Sequence, residues 1–166
     1  MKRPTILHIS DVHLGSDFAF PRMAGPGAVP LIDVILRDTA QNPPGAVIIS
    51  GVMTTRADAN VLFNQGLSFL NTLVDKLGLT PDHVILVPGN HEFPLGDFSP
   101  HDYAHESAFK NFISAFFKRS VTYPELRNFV FNNGLRLQIL AINSVRLGEN
   151  QKKTSDMSSG LCTRMY

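Results

Sequence analysis

Of three short polar or glycine-containing segments of this sequence, two carry side chains suited to binding a metal ion or transferring a proton. Asp11 and His13 stand two residues apart in the first segment, and Gly51 begins the second. The third segment is Gly-Asn-His-Glu, residues 89–92. A carboxylate oxygen and an imidazole nitrogen together suit a divalent transition metal. An asparagine oxygen can also bind a metal, and a histidine can donate a proton to a leaving group.

The order of residues within these segments allows more than one interpretation. If residues 11–13 are extended, the side chains of Asp11 and His13 point the same way, because alternate residues of a strand share a face. A capped turn with a surface histidine is the alternative. In the third segment, Glu92 is expected to fix the tautomer of His91 through a hydrogen bond. The alternative there is an asparagine-rich turn with a solvated histidine.

Each polar segment follows a short apolar run that is typical of a buried strand. The runs cover residues 5–10, 46–50 and 83–88. Nearly continuous, β-branched runs of this length suit parallel strands that are covered on both faces. Ligands of open α/β sheets bind beyond the carboxyl ends of the strands, which share one edge of the sheet. The three polar segments are therefore expected to converge.

Helical patterns separate the predicted strands. Apolar residues at spacings of three and four predict helices over residues 29–40 and 58–77. Asp58 is the expected N-cap of the second helix, and Gly78 is placed to end it. The alternation of strands and helices predicts an α/β fold that begins βαβαβ.

The second half of the chain has its own signals. A helix is predicted over residues 104–118, and Asn-Asn-Gly at 132–134 between apolar runs predicts a β-hairpin. Residues 1–147 are expected to form one domain. Residues 148–166 are polar and aperiodic, so an unpacked tail is expected there.

Composition excludes several classes of protein. The chain has 166 residues, of which 43% are hydrophobic and 17% charged, which is typical of one globular domain. A net charge of +1 gives no field that would recruit nucleic acid or an anionic membrane. Cys162 is the only cysteine, so no intrachain disulfide can form. No stretch of about 20 apolar residues is present. A soluble, cytoplasmic protein is therefore predicted.

Taken together, the three polar segments and their strands resemble the calcineurin-like metallophosphoesterase superfamily. Residues 6–15 resemble its opening motif, residues 47–51 its second and residues 86–92 its third. The resemblance is close over residues 1–95 and looser as far as Arg146. It implies a partial metallophosphoesterase-type layered sheet with flanking helices. It also implies hydrolysis of phosphomonoesters or phosphodiesters at a two-metal site.

The resemblance also implies roles for individual residues. By position, Asp11 and His13 would hold the first metal, and Asn90 would hold the second. His91 would be the catalytic histidine, aimed at the scissile phosphate. The cofactors would be two divalent ions, with manganese, iron or zinc favoured, and the partner would be a phosphate-ester substrate. The opening motif leans toward cyclic-nucleotide phosphodiesterase relatives.

Two departures from the family's pattern keep a second interpretation open. The family has a metal-bridging aspartate after the glycine of its second motif, whereas Val52 follows Gly51 here. The family also supplies later histidines, and none follows His105. We therefore expect either a metal-dependent phosphoesterase or a non-catalytic, truncated relative that acts by binding. A truncated domain would self-associate through an uncovered sheet edge.

Other candidate residues have simpler interpretations. His101 and His105 have the spacing of a ligand pair on a helix, but a solvated helix start is favoured. His8 lies within the first predicted strand and is expected to be a buried, hydrogen-bonded histidine. The phenylalanines of the third helix are expected to pack in the core rather than to stack on bases.

Overall fold

The structure of the protein is a computed structural model. It describes residues 3–15, 30–55, 58–92 and 103–144, with the backbone alone for 103–106. His101, the side chain of His105 and the predicted tail at 148–166 lie outside the described residues, so the expectations for them stay predictions.

Three parallel strands form the sheet that carries the polar segments. They are β1 (Ile6–Ser10), β2 (Ala46–Gly51) and β3 (Val84–Pro88), in the order β1–β2–β3. Ser10 pairs with Ser50, and Ser50 pairs with Val87, so the three strands end level with one another. The parallel α/β sheet predicted from the apolar runs is confirmed, and the polar segments begin side by side.

The helical region between β2 and β3 begins and ends at the predicted capping residues. Helix α1 covers Leu31–Thr39. After β2 come α2 (Ala59–Val61), a π-helical segment (Leu62–Gly66) and α3 (Leu67–Leu77), which follow one another directly. The Asp58 side chain accepts hydrogen bonds from the Asn60 and Val61 amides, and Gly78 ends α3 in the left-handed conformation at φ 67°. Both predicted caps are confirmed.

The π-helical segment was not predicted, because the apolar spacing over residues 58–77 fits an uninterrupted α-helix. Gly66 closes this segment against the ring of Phe112. A methyl group at Gly66 would lie 2.9 Å from Cε2 of Phe112, closer than packed carbon atoms approach. The local widening therefore occurs where Gly66 packs closely against Phe112 of the next helix.

Helix α4 (Tyr103–Phe117) supplies the aromatic part of the core, as predicted. Its buried side chains pack with apolar side chains of β2, β3 and α3. These buried residues of α4 are Phe109, Phe112, Ile113, Phe116 and Phe117.

Replacement of Phe112 by alanine is expected to destabilise the fold strongly. Phe112 is fully buried and contacts the rings of Phe109 and Phe63 at centroid distances of 6.0 and 6.5 Å. The expected loss is about 3–5 kcal/mol in the free energy of unfolding, measured by chemical denaturation. Phe63→Ala is the matched control, because Phe63 is 37% exposed and should cost clearly less. Equal losses for the two variants would contradict this placement.

A β-hairpin covers part of one face of the sheet. Its strands are β4 (Glu125–Val130) and β5 (Arg136–Ala141), which pair antiparallel around the predicted Asn-Asn-Gly turn. Phe129 and Ala141 are buried against Ala46 and Ile85 of the parallel sheet. The hydroxyl of Tyr123 donates a hydrogen bond to the Leu86 carbonyl, which further ties the hairpin to β3.

His8 is not a core residue, and the expectation that it is buried was wrong. Its ring is exposed, and Nε2 lies 2.7 Å from the Ser50 hydroxyl. The hairpin packs on side chains of β2 and β3. β1 is the outermost strand of the described sheet, next to β2 and away from β3. The described hairpin therefore does not cover the face of β1 that carries His8. Within the described ranges, no helix combines the length and apolar character that crossing a membrane requires.

Candidate functional site

The polar segments after the three strands form three adjoining loops, as predicted. Hydrogen bonds pair the first two beyond the ends of the strands: His13 N–H donates to the Val52 carbonyl at 3.2 Å and Leu14 N–H to the Met53 carbonyl at 2.7 Å. We name them loop 1 (residues 11–15), loop 2 (residues 51–55) and loop 3 (residues 89–92).

The conformation of loop 1 differs from the extended segment that was expected. Asp11 and His13 have φ values of 53° and 52°, in the left-handed region that L-residues seldom adopt. Between them, the side chain of Val12 is buried in the core. The extended geometry was therefore the wrong basis for placing the two side chains together, although both lie at the predicted edge of the sheet.

The carboxylate of Asp11 is held against loop 2. Its Oδ1 accepts a hydrogen bond from the Val52 amide at 3.2 Å. A side chain at Gly51, where φ is 82°, would place its Cβ 2.7 Å from the same oxygen. Glycine is thus required at position 51 for two reasons: the left-handed backbone conformation, and the close approach of the Asp11 carboxylate.

Loop 3 brings His91 to the same edge. Residues Asn90–Glu92 form a 3₁₀ turn, with Asn90 exposed and His91 half-buried. The His91 ring meets the edge of the His13 ring at a centroid distance of 5.4 Å and an interplanar angle of 84°. Two candidate residues from different loops therefore touch. Among the described residues, the buried Nδ1 of His91 has no hydrogen-bond partner.

Glu92 is the most deeply buried charged residue of the site, at 1% exposure. Its Oε1 accepts from the amides of Met53 and Thr54 at 2.8 and 2.9 Å, and its Oε2 accepts from the Gly89 amide at 2.7 Å. The Thr54 hydroxyl is a further donor to Oε1, at 3.4 Å. Burial raises the pKa of the Glu92 carboxyl above its ordinary value, and the hydrogen bonds from Thr54, Gly89 and Met53 oppose that rise.

The expectation that Glu92 fixes the tautomer of His91 through a direct hydrogen bond is therefore wrong. Both carboxylate oxygens bond to donors of loops 2 and 3, while Nδ1 of His91 stays unpaired within the described structure. The residues around position 92 do not reveal the hydrogen-bond donors of Glu92, because the donors in loop 2 lie 38 and 39 residues away in the sequence. The signal available in the sequence was the position of Glu92 soon after a buried strand and a glycine turn, which places a carboxylate close to backbone amides of the site.

Val52 lies between loop 1 and loop 3. Its amide bonds to Asp11, its side chain is 4% exposed, and its Cγ2 would lie 2.8 Å from a Cβ placed on Gly89. A buried apolar side chain thus lies against Gly89 of loop 3, on the residue whose amide binds Asp11 of loop 1. By position, this is the residue for which the resemblance implies a carboxylate shared by two metals.

The donor set does not fit the two-metal centre that the resemblance implies. Across the described ranges, no three side chains of His, Cys, Asp or Glu converge into a group that could hold a metal ion. Asn90 offers a neutral oxygen, and Val52 offers no ligand. Asp11 and His13 remain the candidate ligands of a single ion, and no reaction step follows from a metal pair here.

The family of the chain is shown by its match to a known family model. The family model for calcineurin-like phosphoesterases matches residues 4–157, most of the chain. The chain belongs to the calcineurin-like phosphoesterase family. A comparison with curated proteins returned no match.

Membership in the calcineurin-like phosphoesterases confirms the resemblance and the mixed α/β architecture. The family consists of metal-dependent phosphoesterases, whose members generally bind divalent metals. The roles of Asp11, His13 and Asn90 as metal ligands, and of His91 as the catalytic histidine, stay predictions for this chain. At the position where the resemblance implies a metal-bridging carboxylate, this calcineurin-like domain has the buried, apolar Val52.

Proposed function

We propose that this chain binds a phosphate ester at the edge of its parallel sheet, holds at most one divalent cation there, and does not hydrolyse a generic phosphodiester measurably. The buried Val52 between loops 1 and 3 carries this proposal. Family membership supports the choice of a phosphate ester as the ligand.

The electrostatics of a metal pair explain why one ion is the expected maximum. Two divalent cations about 3.5–4 Å apart repel strongly, and a shared carboxylate offsets the repulsion while fixing their spacing. Val52 supplies no charge at that place. Asp11 and His13 would hold one ion weakly. Asn90 alone, with a single neutral oxygen, is too poor a donor set for a second.

The residues that remain suit binding. His13 and His91 meet at the sheet edge, and the ring N–H groups of the two histidines would donate hydrogen bonds to phosphate oxygens. The Asp11 carboxylate repels a phosphate unless a cation neutralises it. Binding of the ester is therefore expected to strengthen when the single metal is present.

Hydrolysis of phosphomonoesters or phosphodiesters at a two-metal centre is the second candidate function, and family membership is the observation that favours it. The likeness of the opening motif to cyclic-nucleotide phosphodiesterases makes a phosphodiester the first substrate class to assay. For either candidate function we propose a cytoplasmic location, because a chain with a single cysteine is compatible with a reducing compartment.

Manganese titration by calorimetry, beside hydrolysis of a chromogenic phosphodiester in excess manganese, separates the two candidates. We expect at most one ion per chain and no measurable turnover. Asp11→Asn should abolish the single binding event, because it removes the only carboxylate among the proposed ligands. Two tightly bound ions, or robust turnover that His91→Ala abolishes, would overturn the proposal and establish the hydrolase.

A further inference from the structure

We propose that Glu92 is a positioning residue that fixes the place of His91 relative to loops 1 and 2. The inference goes beyond the proposed function, because it concerns how the site is built rather than what it binds. It rests on the four hydrogen bonds that the buried Glu92 carboxylate accepts from Met53, Thr54 and Gly89.

The two oxygens of Glu92 serve different loops. Oε1 accepts the loop 2 donors, at 2.8 Å from the Met53 amide and 2.9 Å from the Thr54 amide. Oε2 accepts the Gly89 amide of loop 3 at 2.7 Å. Because a carboxylate is planar and both of its oxygens accept, it sets the separation of the two loops. A side chain with one accepting oxygen can satisfy only one side.

The link that Glu92 makes continues to loop 1. The Met53 carbonyl also accepts a hydrogen bond from the Leu14 amide at 2.7 Å, and the Thr55 amide donates to the Leu14 carbonyl at 3.1 Å. A path of hydrogen bonds therefore runs from loop 3 through Glu92 and loop 2 to loop 1. His91 and His13 lie near its two ends and meet through their rings at 5.4 Å.

Two features make His91 depend on this path. Its Nδ1 has no hydrogen-bond partner among the described residues, so no bond to that nitrogen orients the ring. The ring instead takes its position from the 3₁₀ turn that it shares with Glu92. The backbones of loops 2 and 3 are also in close contact, since a Cβ at Gly89 would lie 2.5 Å from the Val52 nitrogen. A shift of loop 3 therefore displaces His91 directly.

Glu92→Gln tests the proposal, since it keeps the shape of the side chain and replaces one accepting oxygen by an amide donor. Glu125→Gln is the matched control. Glu125 is also largely buried and bonds to Arg119 and Arg127 at 2.7 and 3.1 Å, away from the three loops. Both variants are expected to lower the Tm.

The deciding readout is nuclear magnetic resonance of the full chain. We expect Glu92→Gln alone to weaken the cross-relaxation between the His13 and His91 rings and to shift the His91 imidazole resonances. Glu125→Gln should leave both unchanged. A folded Glu92→Gln with the ring contact and the His91 resonances intact would overturn the proposal.

A measurement on the unaltered chain covers the case in which Glu92→Gln does not fold. The amides of Met53, Thr54 and Gly89 are expected to exchange with solvent slowly and with a common protection factor, because one buried carboxylate holds all three. Fast and independent exchange of the Gly89 amide would also overturn the proposal. Neither readout involves metal or phosphate binding, so failure of the proposed function would be recognised separately in the manganese titration.

Discussion

Val52→Asp is expected to raise the affinity of the chain for manganese at least about tenfold, which corresponds to about 1.4 kcal/mol of added attraction by one carboxylate. The new carboxylate would lie between the Asp11 loop and the Asn90 loop, where the valine side chain is now buried. Calorimetric titration of the variant beside the unaltered chain measures the change.

The same substitution should make folding depend on the metal. Without manganese, the new carboxylate is buried and unpaired beside Asp11, and the expected cost is about 3 kcal/mol or more in the free energy of unfolding. With excess manganese, much of that loss should be recovered, because an ion that binds only the folded state stabilises it. Chemical denaturation with and without manganese gives both values.

Val52→Asn is the control, because it has nearly the same shape as the aspartate variant and carries no charge. It should destabilise the chain without a comparable gain in manganese affinity or recovery by metal. Turnover is not expected from Val52→Asp alone, since Asn90 still offers one neutral ligand to a second ion. An unchanged affinity in the aspartate variant would show that position 52 does not face the metal ligands.

The parts of this fold that were predictable depend on local signals. The three strands follow from short β-branched runs, the cap at Asp58 from its position before a helical pattern, and the end of α3 from Gly78. The convergence of the loops then follows from the parallel sheet. The strands and caps need only the residues themselves and their immediate neighbours, and the convergence needs in addition only the general rule for parallel sheets.

The features that were missed depend on contacts between distant segments. Glu92 finds its loop 2 donors 38 and 39 residues away, which no pattern around residue 92 reveals. The left-handed conformations of Asp11 and His13 allow pairing with loop 2 and burial of Val12, at a cost of about 1–2 kcal/mol each. The exposure of His8 depends on which strands the hairpin covers. These properties belong to the assembled edge of the sheet rather than to any one segment.

The outer face of the hairpin is the surface from which we expect self-association. Leu126 and Leu140 are direct cross-strand neighbours and are 56% and 55% exposed, and Val130 is 70% exposed on the same side. Among the described residues, β4 and β5 form a sheet of two strands with both outer edges unpaired. Open edges template pairing with another chain, and exposed apolar side chains such as these favour association.

We propose that a second copy of the chain covers this face, and we expect association at micromolar concentration in light scattering. The double variant Leu126→Lys, Leu140→Glu should remain monomeric, because it replaces the apolar pair by a cross-strand ion pair that keeps the hairpin intact. Asn128→Lys with Gln138→Glu is the matched control. This neighbouring cross-strand pair has the same register and takes the same charges, but no apolar surface is lost. The control should associate like the unaltered chain. A sharp monomer peak for the unaltered chain would contradict self-association altogether, and equal association of the two double variants would place the contact elsewhere on the molecule.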